Sequence, residues 1–203
     1  MYKRVLCVSA LVLSLNSVIL ADDFDGTNTN TGFNPGIYFG ALVGMANFHY
    51  SGSYTTPSSS YDSGFNFAAR CHLGWAFNPY ISAELGYDYY GRPKFKHNDG
   101  NTQNILQHGM DLVAKATLPL DYGFGLYVKG GLAWVYRSAL HPNNNHFADK
   151  SSNSKIAPIG ALGVNYWFAP NIALDLCFTK TMTISDLPTT DFFALGITYK
   201  INI

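Results

Sequence analysis

The sequence predicts an all-β protein, an eight-stranded antiparallel up-and-down barrel spanning a membrane, and three observations predict it. From Gly36 onward, apolar and polar residues alternate in pieces of roughly ten residues, the length a tilted membrane strand needs. Charged residues make up 13%, about half the usual share, while aromatics reach 15% and glycines number 19. Past the N-terminus, no run approaches the ~18 uninterrupted apolar residues of a membrane helix. Strands must then carry the apolar surface.

The chain opens with a charged head (Lys3, Arg4), an apolar run from Val5 to Leu15 and a small residue at Ala21. That layout is a secretory signal, too short to span a bilayer comfortably. Cleavage after Ala21 is expected, although Ile19 is bulky for the third position back. The predicted organisation is a signal peptide over 1–21, a polar N-terminal segment over 22–35 and an outer-membrane barrel over 36–203. Removing Lys3 and Arg4 turns the balance of 13 bases and 13 acids slightly acidic. So weak a charge excludes nucleic acid as a partner.

Eight strands follow in order, over Gly36–Phe48, Phe65–Phe77, Tyr80–Tyr90, Gly109–Leu118, Gly125–Arg137, Ile156–Phe168, Ile172–Thr179 and Phe192–Ile201. Between Leu126 and Arg137 the even positions are Leu, Val, Gly, Leu, Trp and Tyr, and the odd ones Tyr, Lys, Gly, Ala, Val and Arg. Successive side chains point to opposite faces, so one face is oily and the other mixed. The strand from Tyr80 sets Ile81, Ala83, Leu85, Tyr87 and Tyr89 against Ser82, Glu84, Gly86, Asp88 and Tyr90. Arg70, Glu84, Asp88, Asp111, Lys115, Lys129, Arg137, Asp175 and Lys200 all fall on the mixed face. A charge meeting lipid at mid-membrane costs ~2–4 kcal/mol, so these nine are expected in the lumen.

The connections are asymmetric. Asn78-Pro79, Pro119–Gly123 and Ala169-Pro170-Asn171 are short turns, whereas Ser51–Gly64, Gly91–His108, Ser138–Lys155 and Lys180–Asp191 are long and polar. Short turns on one rim and long loops on the other characterise bacterial outer-membrane barrels, with the long loops outside the cell. The outward aromatics sort to strand ends. Trp75, Phe77, Tyr166, Phe168 and Tyr199 lie toward the short-turn rim, and Tyr87, Tyr89, Trp134, Tyr136 and Phe178 toward the other. Rings that are apolar with a polar tip prefer the headgroup level, so these form two membrane-interface girdles.

Three stretches carry a family resemblance: Asn78-Pro79-Tyr80 leading to Glu84-Leu85-Gly86-Tyr87-Asp88-Tyr89-Tyr90-Gly91-Arg92, then Ala114-Lys115, then Gly130-Gly131-Leu132-Ala133-Trp134. With gaps from Gly36 to Ile201, the sequence resembles the transmembrane barrel of the outer membrane protein A (OmpA-like) family. The resemblance covers the barrel alone and does not extend to the peptidoglycan-binding domain of larger members. It implies a lumen blocked by a carboxylate paired with basic groups, with Glu84 and Lys115 at matching positions and Lys129 at another basic site. Leu42, Asn165 and Asp175 depart from the family's lysine, carboxylate and arginine, so the family's network must be remade, for instance by pairing Asp175 with Lys129. Gly196–Ile201 resembles the C-terminal signal read by the barrel-assembly machinery, but ends Asn202-Ile203.

An eight-stranded barrel is just wide enough for side chains to fill it. The expected role is therefore structural: envelope integrity or surface contact, with the lumen plugged by Arg70, Glu84, Asp88, Asp111, Lys115, Lys129, Asp175 and Lys200. A narrow ion or small-solute channel is the alternative, and a lipid A-modifying enzyme the third reading. The enzyme reading rests on His49-Tyr50-Ser51, at the end of the first strand, with no acid expected to orient the His. Catalytic residues, metal ligands and cofactors are expected to be none. His97, His108, His141 and His146 are expected in or beside loops, solvated. Cys71 and Cys177 are expected on opposite faces, unlinked. Expected partners are outer-membrane lipid and lipopolysaccharide, the assembly machinery during insertion, and host or phage surfaces. The last would meet the long loops, of which 91–108, with Arg92, Lys94 and Lys96, is modestly basic.

Overall fold

The computed structural model describes residues 35–49, 59–61, 65–92, 94–97, 102–138, 153–182 and 188–202. The expected signal segment, and the polar segment except Pro35, lie outside the described residues. Eight long strands build the wall: β1 (Gly36–His49), β3 (Asn66–Ala76), β4 (Ile81–Gly91), β7 (Gln107–Pro119), β8 (Phe124–Arg137), β9 (Asn153–Ala169), β10 (Ile172–Thr181) and β11 (Thr189–Asn202). They close in the order β1-β11-β10-β9-β8-β7-β4-β3, every described pairing antiparallel. The seam joins first strand to last, from Gly36 opposite Asn202 to His49 opposite Thr189. Closure leaves no unpaired edge, which backbone surrounded by hydrocarbon requires.

The wall has the sense the charges demanded. Leu132 and Val128 are 57% and 58% exposed on the outer face, while their neighbour Lys129 is 9% exposed inside. Cys71 points out and Cys177 in, both free. Strands run further at the long-loop rim than alternation alone indicated: β9 starts at Asn153, β7 at Gln107 and β11 at Thr189. Backbone pairing continues there, with Gln107 opposite Arg137 and Arg137 opposite Asn153, and Gln107 and Arg137 turn their side chains inward, fully buried. Beyond the rim, β2 (Ser59–Tyr61), β5 (Lys94–His97) and β6 (Thr102–Asn104) form a three-stranded sheet in the order β2-β5-β6, which periodicity did not reveal.

The short turns are locally wired. Asn78 Oδ1 accepts from the backbone N–H of Tyr80 (2.8 Å) and Ile81 (2.7 Å), closing the β3–β4 turn. A single 3-10 turn over Asp121–Gly123 joins β7 to β8, with Gly123 at φ 82°. Two adjacent glycines in β8 yield a prediction. A Cβ on Gly130 would meet nothing within 4 Å, whereas one on Gly131 would lie 2.1 Å from the backbone oxygen of Leu112. Gly131→Ala must push β7 aside and is expected to cost about 1–3 kcal/mol, the range for overpacking. Gly130→Ala should unfold at the wild-type urea concentration, and equal midpoints for both variants would refute the close approach.

Candidate functional site

The inward faces converge on a buried ionic network. Strand parity brings Arg70 from β3, Glu84 and Asp88 from β4, Asp111 and Lys115 from β7 and Lys129 from β8 into the interior, all buried. Arg70 is the hub. Its Nη1 donates to Asp88 (2.9 and 3.0 Å) and to Asp111 Oδ2 (2.5 Å), its Nη2 donates to Asp111 Oδ1 (2.9 Å), and Glu84 lies 3.8 Å away. The planar guanidinium suits this shared, forked recognition. Glu84 is the second centre. Lys129 Nζ donates to its Oε2 at 2.6 Å, Lys115 Nζ sits 3.4 Å from its Oε1, and the Tyr38 hydroxyl donates to Oε1 at 3.0 Å. Lys115 also lies over the Tyr127 ring, 4.2 Å from its centroid. Three cations therefore face three carboxylates in one network. Local cancellation is what permits ionised groups in so dry a place.

Two members named from sequence stand apart. Asp175, 3% exposed, does not pair with Lys129, which is engaged by Glu84; it accepts a hydrogen bond from Thr198, which lies 3.4 Å from His72 Nε2. The suggested Asp175–Lys129 pair is thus corrected, because Asp175 leans toward β11 and Lys129 toward β4. Lys200 keeps the inward parity but sits one residue short of the β11 terminus pair Ile201-Asn202, only half-buried. Parity located its face and gave no depth.

Apolar residues also fill the interior, a layer that reading the mixed face as polar missed. Phe48, Ala46, Tyr90 and Phe192 form one buried cluster with Leu42 and Cys177, while Val135, Ala157 and Ile159 pack with Val113 and Ala133. Phe48, Phe192, Tyr90 and Val135 lie near the long-loop ends of their strands, above the ionic network. Tyr90 and Phe192 meet edge to face at 6.1 Å. The lumen is thus tiered along the strands, with apolar residues toward the long loops and salt bridges below them. The His72–Thr198–Asp175 group lies beside the Glu84 centre, linked to it by Tyr38, whose ring is 6.0 Å from that of His72.

The outer wall places the expected girdle aromatics on the outside. Trp75, Tyr166 and Tyr199 are exposed toward the short turns, and Tyr87, Trp134 and Tyr136 toward the long loops; Tyr89 shares that face, partly buried. Phe39 packs with Tyr199 at 5.5 Å and Phe124 with Tyr166 at 4.6 Å. His108 belongs to β7 and not to a loop. It stands between Tyr87 (5.8 Å) and Tyr136 (5.1 Å), an aromatic arc across β4, β7 and β8. His49 also departs from expectation, because an acid does reach it: Asp191 Oδ2 is 2.9 Å from its Nε2. The two residues are 142 apart in sequence and meet only across the seam. Ser51, His141 and His146 lie outside the described residues.

Comparison with known proteins gives one consistent result. Residues 34–203 match the family model for the OmpA-like transmembrane domain. Outer membrane protein A of Escherichia fergusonii is 28% identical over 170 residues, covering 80% of this chain and 48% of that protein. An uncharacterized protein of Coxiella burnetii is 29% identical over 196 residues, covering 77% and 78%. The chain spans about half the length of the outer membrane protein A relatives it matches. Among solved structures, neisserial surface protein A superposes with a TM-score of 0.57 at 16% identity, covering 81% of this chain and 97% of that one. Ail, the attachment invasion locus protein of Yersinia pestis, gives 0.52 at 13%, covering 82% and 99%. The barrel fold and a place in the Gram-negative outer membrane follow.

Proposed function

We propose that this chain, which belongs to the OmpA-like transmembrane domain family, is a closed, non-conducting element of the outer-membrane wall that supports envelope integrity and holds its long loops outside the cell as a contact surface. The observation that carries the closed reading is the tiered interior. Ion passage would have to displace Phe48 and Phe192 and then break salt bridges centred on Glu84 and Arg70. A dry apolar constriction excludes ions by dewetting, and a balanced ionic network below it offers no free charge to recruit them. Surface contact is supported by the loop sheet. Its central strand β5 pairs with β2 and β6, and the segment 91–108 that contains it carries Arg92, Lys94 and Lys96 in sequence. Anionic saccharides suit so basic a segment. Ail of Yersinia pestis, which shares the fold, has been solved with the heparin analogue sucrose octasulfate.

Planar-bilayer recording on the purified, folded barrel tests the closed reading. The expected trace is silent, and discrete ion-conducting steps would replace this reading with a narrow channel. Replacing residues 51–58 or 98–101 with a short Gly-Ser linker should leave gel-shift folding and detergent resistance of the cell intact while reducing adhesion to host cells. Unchanged adhesion for both replacements would leave envelope support alone.

A further inference from the structure

The outer wall carries one feature that neither closure nor loop contact uses. Among the described barrel-strand residues, Lys180 and Asp191 are the formally charged pair turned outward, and His49 joins them from the adjacent strand. Lys180 Nζ donates to Asp191 Oδ1 at 2.9 Å, and His49 Nε2 lies 2.9 Å from Asp191 Oδ2. The side chains are 47% (Lys180), 23% (Asp191) and 52% (His49) exposed, so both basic groups remain accessible beyond the carboxylate they share. They sit at the long-loop ends of β10, β11 and β1, while the aromatic arc of Tyr87, His108 and Tyr136 occupies the opposite side of the closed strand order. Beneath the charges the wall turns apolar at once, with Met45, Leu176 and Phe193 all exposed.

We propose that Lys180 and His49 bind the phosphate of an outer-leaflet glycolipid, whose acyl chains lie along Met45, Leu176 and Phe193. The chemistry matches at both ends. An ammonium keeps two further N–H donors after serving Asp191, and the imidazole, in its doubly protonated form, keeps an Nδ1–H, so the two side chains flank the headgroup level as donors. A phosphomonoester is the anion that the outer leaflet presents there, and its lipid anchor needs the apolar strip directly below. Asp191 bridges the ammonium and the imidazole across the β1–β11 seam and competes with the phosphate for both, so it is no part of the binding site itself. The proposal rests on the orientation that puts the long loops outside, and it is independent of whether the lumen conducts.

The test is lipid retention by native mass spectrometry. The full barrel is folded in phosphatidylcholine nanodiscs carrying either bisphosphorylated hexa-acyl lipid A or the same lipid with its phosphates removed. Wild type should retain the phosphorylated lipid and lose the dephosphorylated one. Lys180→Gln should lower retention about fivefold, the size of one cationic side chain at an anionic membrane surface, and the Lys180→Gln/His49→Gln double variant further. His108→Gln, on the opposite arc, should change nothing. Asp191→Asn separates a lipid site from a mere clamp: removing a competing carboxylate should preserve or raise retention, whereas a clamp would fail alongside Lys180→Gln. Gel-shift migration establishes folding for each variant, and His49→Gln with Asp191→Asn suffices if Lys180→Gln does not fold. Equal retention of both lipids, an unchanged double variant, or loss in Asp191→Asn would overturn the site. Silent conductance with lost retention, or the reverse, tells failure of this site from failure of the closed barrel.

Discussion

Replacing Arg70 with Leu is expected to be the most damaging single change in the barrel interior, lowering stability by about 3–5 kcal/mol or more, the range for breaking a buried ion pair. The guanidinium is shared by Asp88 and Asp111 through four hydrogen bonds. Its loss strands two buried carboxylates, Asp88 at 1% and Asp111 at 2% exposure. Membership of β3, β4 and β7 means the damage spreads over three neighbouring strands. Total stability of a domain is about 5–15 kcal/mol, so the variant should unfold at far lower urea or fail to show a gel shift at all. Arg70→Lys should fall in between, because a point charge cannot fork to two carboxylates. Adding Asp111→Asn to Arg70→Leu should recover stability by removing one of the stranded charges. Urea titration followed by tryptophan fluorescence in lipid vesicles measures all three, and a wild-type midpoint for Arg70→Leu would refute the hub.

The barrel was legible in the sequence because lipid penalises error on every outward position. A single ionised side chain on the wrong face costs enough to fix the parity of a whole strand, and Lys129 between Val128 and Gly130 shows the effect. The interior obeys no such rule. Phe48, Val135 and Ile159 are as acceptable inside as outside, so alternation does not distinguish an apolar tier from a lipid face that has slipped. Which base meets which acid depends on strand stagger, a property of the closed barrel that no local pattern encodes. Lys129 therefore chose Glu84 over Asp175, and Lys200 had the right parity at the wrong depth. The His49–Asp191 contact was hidden for the same reason, since it exists only after the first strand pairs with the last. Two polar outward positions, at the end of β1 and the start of β11, were the available signal.

Glu84→Gln separates what holds the barrel together from what closes it. Neutralising the carboxylate leaves Lys129 and Lys115 facing an amide at distances where they met a charge, 2.6 and 3.4 Å. Two buried ammonium groups then lack a counter-charge, and the expected loss is again about 3–5 kcal/mol. The Tyr38 contact at 3.0 Å survives, because an amide oxygen still accepts from the hydroxyl. Exchanging the whole pair is a different experiment. Glu84→Gln with Lys129→Met removes one of the two stranded cations and lets an apolar side chain settle beside Val113 and Ile159, which line the same small cavity. Lys115 still faces the amide, so the double variant should recover part of the loss and unfold between Glu84→Gln and wild type, and the cycle of four proteins isolates the Glu84–Lys129 coupling. Glu84→Gln barrels that still fold then decide where closure resides. If they stay silent in planar bilayers, ions are stopped by the apolar tier around Phe48 and Phe192, and the salt bridges serve stability. If they conduct, the Glu84 network is itself the barrier, and the apolar tier above it must be wide enough to wet.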